Sequence, residues 1–107
     1  MTMKQNVVVH FKEIPVDNGV RNFVEERCAL MLEEFPELSK LEVSLSPDGN
    51  GFTAHAHATG RKTDVAATHD WEQEVGHAAD QVLTKVHKQL RKKHDKRADH
   101  RRRAPAR

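Results

Sequence analysis

The sequence predicts an α+β sandwich in the order β-α-β-β-β-α: a four-stranded, mostly antiparallel sheet with one polar face and two helices covering the other. Three observations carry this. Apolar residues recur at spacings of three and four in two stretches, over 20–35 and 75–90. Between them, positions 41–58 alternate apolar and polar around a glycine-rich turn. A β-branched run stands ahead of the first helical stretch, too short to be a helix itself. With 107 residues the chain has room for one domain that folds without disulfides. That domain is expected over 1–98, with a basic flexible tail at 99–107.

Val7, Val8, Val9 and Phe11 suit a buried first strand. Asp17 or Asn18 can cap the first helix, whose core face is Val20, Phe23, Val24, Cys28, Met31 and Phe35 and whose end is set by Pro36. Leu41, Val43 and Leu45 alternate with Glu42, Ser44 and Ser46 as a half-buried strand, and residues 47–51 read as a turn. In the next strand Phe52, Ala54, Ala56 and Ala58 face one way, and Thr53, His55, His57 and Thr59 the other. The alanines leave room for a helix to lie close. Gly60, Arg61 and Lys62 form a basic turn, and residues 63–68 return as a fourth strand, completing a meander.

The second helix is expected from Trp71 onward. Val75, Ala79, Val82, Val86 and Leu90 line its core face, while Lys85, Lys88, Lys92 and Lys96 fall on one flank at about 100° per residue. The apolar stripe stops at Leu90 but the basic residues continue. A helix over 71–97 would run ~40 Å, so it should overhang a domain whose radius of gyration is ~13 Å. Asp70, Glu72 and Glu74 are expected to favour the start of this helix through its dipole.

Formal net charge is only +2, but the charges are sorted. Residues 85–107 hold 11 Lys and Arg against two acids, a net of +9; residues 1–84 hold seven against 14, a net of −7. A local basic field on an acidic body points to nucleic acid or an anionic membrane surface. Cys28 stands alone and falls on a core face, so neither a disulfide nor a cysteine metal cluster is expected, and a reducing compartment fits. There is no signal-peptide h-region and no membrane-length apolar segment, so the protein is expected to be cytoplasmic, without a membrane partner.

Catalysis has no support in the sequence: no nucleophile elbow and no glycine-rich phosphate loop are present. His55 and His57 project together but lack a clear third ligand, so neither a metal nor a cofactor is expected. Trp71 reads as an anchor at the edge of the core.

The run from Ala78 to Lys92, AADQVLTKVHKQLRK, resembles the A-I-D-x-L-x-x-K-L-x-R-Q-L-x-K pattern of the short ribosome hibernation-promoting factors and ribosome-associated inhibitors of bacteria, the sigma-54 modulation proteins. Residues 20–24, VRNFV, and 51–54, GFTA, are similar to that family's first helix and third strand. The resemblance implies a fold like a double-stranded-RNA-binding domain. It also implies a stoichiometric, non-enzymatic partner of the small ribosomal subunit, a monomer off the ribosome. Such a protein would bind rRNA near the decoding region, compete with tRNA and mRNA, and reversibly block translation under stress or in stationary phase. By position it makes Lys85, Lys88, Arg91 and Lys92 rRNA contacts, with His87 lying between them; Lys96 joins from the flank, Arg61 and Lys62 from their basic turn. The family's D-M-Y is replaced by Glu74-Val75-Gly76, and no tyrosine is present. The extra dimerisation domain of the long factors has no counterpart, so ribosome pairing through this chain's own domain is not expected. Two alternatives stand beside this reading. A general RNA- or DNA-binding module would lack ribosome selectivity, and a small metal-binding protein built on His55 and His57 would carry stoichiometric metal.

Overall fold

The β-branched opening run forms β1 (Val7–Phe11), because such side chains pack well on extended backbone. Helix α1 (Asn18–Glu34) begins where Asp17 Oδ1 accepts a hydrogen bond from the Val20 amide at 3.1 Å. That bond satisfies one of the amides a helix start leaves open. The helix closes at Phe35, whose amide donates to the Met31 carbonyl, and Pro36 prevents its continuation. Three strands follow, β2 (Leu38–Asp48), β3 (Gly51–Gly60) and β4 (Thr63–Glu72), and then α2 (Val75–Arg103). These coordinates are a computed structural model in which the backbone of residues 6–103 and the side chains of residues 6–94 are described.

The sheet has the order β1-β2-β3-β4. β1 runs parallel to β2, with Val7 opposite Leu41 and Phe11 opposite Leu45, as the crossover through α1 requires. The other pairings are antiparallel. On the covered face Leu41, Val43 and Leu45 stand opposite Ala58, Ala56 and Ala54, and all six are fully buried. Beneath the helices this layer meets Val24, Cys28 and Met31 of α1, Phe35 at its C-cap, and Ala79, Val82, Val86 and Leu90 of α2. Ala78 and Leu83 are also fully buried, so the apolar face of α2 is broader than the five-residue stripe. The uncovered face is polar and carries Glu42, Ser44, His55, His57 and Thr68.

Four boundaries differ from the sequence expectation, the first being the start of β2, at Leu38 and not Leu41, because Leu38 already pairs with Gly60. The β2–β3 turn shrinks to Gly49 and Asn50, because Gly49 adopts φ +62° and lets strand pairing extend through Pro47 and Asp48. β4 runs to Glu72, not Thr68, since β3 offers a pairing partner as far as Phe52. Trp71 therefore belongs to a strand, and α2 begins at Val75. The Trp71 indole lies over Gly51 so closely that any Cβ there would collide with it, and the ring is left about half exposed.

The acidic residues are reassigned with it. Asp70 and Glu72 lie in β4, where Glu72 accepts from His69 and lies near His77. Only Glu74 adjoins the helix, its carbonyl accepting the Ala78 amide. The region 99–107, expected as a tail, overlaps α2 at 99–103, and residues 104–107 lie outside the described residues.

Candidate nucleic-acid interface

The antiparallel passage of α2 back along β4 gives the helix two polar flanks with different jobs. Toward α1, Arg27 donates to Asp80 Oδ1 at 2.7 Å, and its guanidinium also lies over the Phe23 ring. Farther along, Glu34 accepts from His87 at 2.8 Å and lies 3.6 Å from an Arg91 nitrogen. His94 faces Glu37 at 3.6 Å, and both histidines meet the buried Phe35 ring edge-on. This flank stitches the helices together.

The other flank overlies the edge of the sheet. Lys85 Nζ donates to the Thr68 carbonyl at 3.0 Å, and Gln89 Nε2 donates to the Ala66 carbonyl at 3.3 Å. Lys88 and Lys92 are exposed farther along. Lys96 continues on the helical backbone, its side chain outside the described residues. Arg91 does not join this row. It comes six positions after Lys85 and is rotated from it by about 120°, which turns it toward Glu34.

Arg61 and Lys62 form the exposed two-residue β3–β4 turn, with Lys62 at φ 54°. The Arg61 amide donates to the Glu37 carbonyl at 2.9 Å, and Glu37 is also the partner of His94. The basic turn thus sits at the end of the sheet over which α2 departs. No Cβ would fit at Gly60, where the Glu37 carbonyl approaches the backbone. The structure brings Lys85, Lys88 and Lys92 together on one flank, sets Arg61 and Lys62 at its far end, and commits Arg91 to the helix–helix seam.

His55 and His57 do project on the same side of β3, where Thr68 Oγ1 lies 3.0 Å from His55 Nδ1 and Asp64 Oδ1 2.6 Å from His57 Nε2. Among the described residues no three His, Cys, Asp or Glu side chains group as a metal site. Cys28 is a core residue: burial pushes its thiol up to about 12 from 9.0, with Arg27 lowering it and Glu25 raising it further.

Residues 7–98 match the family described as sigma 54 modulation protein / S30EA ribosomal protein. The chain belongs to that family. Its fold is also that of two solved structures. One, the N-terminal domain of Protein Y from Thermus thermophilus, superposes with a TM-score of 0.67 at 17% identity, covering 80% of this chain and 93% of that one. The other, a ribosomal subunit interface protein from Coxiella burnetii, gives 0.70 at 13% identity, covering 83% and 97%. No curated protein matches the chain.

The family-like run 78–92 lies wholly within α2, and the structure divides it by role. Ala78, Ala79, Val82, Leu83, Val86 and Leu90 fill the core, and Asp80 holds Arg27. Lys85 and Gln89 grip β4, while Lys88 and Lys92 face solvent. Gln89 was absent from the sequence-derived candidates; its place one helical turn after Lys85 was the available signal. Among the described residues no helix is long and apolar enough to cross a membrane.

Proposed function

We propose that this protein is a non-enzymatic, ribosome-associated hibernation factor that docks α2 on rRNA of the small subunit near the decoding region. In doing so it competes with tRNA and mRNA and reversibly blocks translation under stress or in stationary phase. It acts in the cytoplasm, needs no cofactor, and is a monomer off the ribosome. Its working unit is the domain over 1–98, with the basic end of the chain adding affinity. Membership of the sigma 54 modulation protein / S30EA ribosomal protein family supports this, as does a fold shared with a ribosomal subunit interface protein from Coxiella burnetii.

The observation that carries the proposal is the sorting of charge. A row of exposed lysines on the sheet-edge flank of α2 belongs to a segment, residues 85–107, of net +9, on a body of net −7. Phosphates are drawn to such a row whatever the total charge, and the folded shape supplies selectivity that charge alone does not. Lys88 and Lys92 are the principal rRNA contacts, Lys85 is held beside them, and Lys96, Arg61 and Lys62 extend the row. Arg91 contributes from the seam.

The test is a cell-free translation reaction with excess protein. Inhibition is expected without cleavage or modification of rRNA, and Lys85, Lys88, Arg91 and Lys92 changed together to Glu should abolish it. Removing residues 99–107 should weaken it. Unchanged inhibition by the quadruple variant, or rRNA damage that outlasts removal of the protein, would overturn the reading.

A further inference from the structure

β4 is an edge strand, and an edge leaves alternate backbone carbonyls without a strand partner. Two of these, on Ala66 and Thr68, are occupied by side chains of α2. The spacing explains why. Four residues of helix advance about 6 Å, and two residues of strand about 6.6 Å. Because α2 runs back along β4, Lys85 meets Thr68 and Gln89 meets Ala66. Thr68 is tied in turn to β3 through its hydroxyl and His55 Nδ1, 3.0 Å apart.

Resting on the rRNA-binding reading above, we propose that Gln89 is a positioning residue for rRNA binding: its amide clasps β4 so that Thr68 can hold the Lys85 ammonium in place for a phosphate. An ammonium has three donors. One is used on Thr68, which leaves two for an incoming phosphate, while the bond to the strand fixes a side chain that would otherwise lose its rotamer freedom on docking. Lys88 and Lys92 are exposed and must be ordered by the RNA itself. Gln89 carries no charge and acts through Lys85. The family-like motif thus contains one prepared cation and, one turn later, the neutral residue that prepares it.

The test is binding of the full chain to purified small ribosomal subunits across a salt series, with Gln89→Met, Lys85→Met, the double variant, and Lys88→Met as control. Gln89→Met keeps length but removes the donor. It should weaken binding about fivefold, the factor that corresponds to the cost of ordering one long side chain on docking, without changing the salt slope. Lys88→Met should reduce that slope by about 1, as loss of a phosphate contact does. In the Lys85→Met background Gln89→Met should have no further effect, since a residue that acts only through Lys85 has nothing left to position. Additive losses, a changed slope for Gln89→Met, or unaltered affinity would overturn the positioning role. Absence of binding by the unaltered chain would instead overturn the ribosome reading, and this inference with it.

Discussion

The two sides of α2 should separate cleanly under mutation, which makes Leu83 and Lys88 an informative pair. Leu83 is fully buried in the core. Leu83→Ala removes buried carbon and leaves a void that a close-packed core only partly fills, a loss of about 3–5 kcal/mol. For a domain near 100 residues, each kcal/mol lowers Tm by about 4–8 °C, so a drop of more than about 10 °C is expected. Lys88 is exposed, and Lys88→Glu places a carboxylate four residues before Lys92, an i,i+4 arrangement that stabilises a helix by about 0.2–0.5 kcal/mol. Its melting temperature should therefore hold or rise slightly. Thermal melts followed by far-ultraviolet circular dichroism, paired with binding to small subunits, give both readouts. Leu83→Ala protein that is still folded at low temperature should bind, whereas Lys88→Glu should be stable and bind poorly. A Lys88→Glu protein that melts as early as Leu83→Ala would refute the assignment of the two faces.

Binding should weaken roughly 10³-fold or more between 50 and 200 mM salt if six to ten phosphates are neutralised, as fluorescence anisotropy on rRNA fragments would measure; a flat response would remove the phosphate argument. Arg27→Ala and Asp80→Ala should each cost about 0.5–1 kcal/mol in denaturant melts, with non-additivity in the double variant, because they remove one shared ion pair on a partly exposed flank. Cys28 should resist thiol reagents at pH 8 until the protein unfolds, since its ionisation is pushed up to about 12 by burial. The same shift fixes a sign: above pH 9.0 the unfolded chain releases the thiol proton while the folded one keeps it, so stability should fall steadily as pH rises toward 12. That fall should be absent from the Cys28→Ala variant, and should therefore be what remains when its stability curve is subtracted from that of the unaltered chain.

The fold was legible wherever periodicity and burial agree. Leu41, Val43 and Leu45 alternate because one face of β2 is covered, and Val82, Val86 and Leu90 recur at helical spacing because one side of α2 is. The β4–α2 boundary was not legible. Trp71 and Val75 fit helical spacing, but pairing of Phe52 with Glu72 depends on a partner strand that local sequence does not display. The division of the cations was also hidden. Lys85, Lys88 and Arg91 look equivalent in the motif, yet Lys85 is drawn to a sheet edge and Arg91 to Glu34, both fixed by tertiary packing. Gln89 stands in the family-like run, but an uncharged side chain acquires a role at the site only when the Ala66 carbonyl is placed beside it.

Sedimentation through a sucrose gradient, with ribosomal subunits and excess competitor RNA, tests the central claim most directly. The account predicts that the protein co-migrates with small subunits at one copy each, and that the quadruple Glu variant, still folded, stays at the top of the gradient. Protein carried off by the competitor RNA, or a quadruple variant that sediments with small subunits as the unaltered chain does, would contradict it.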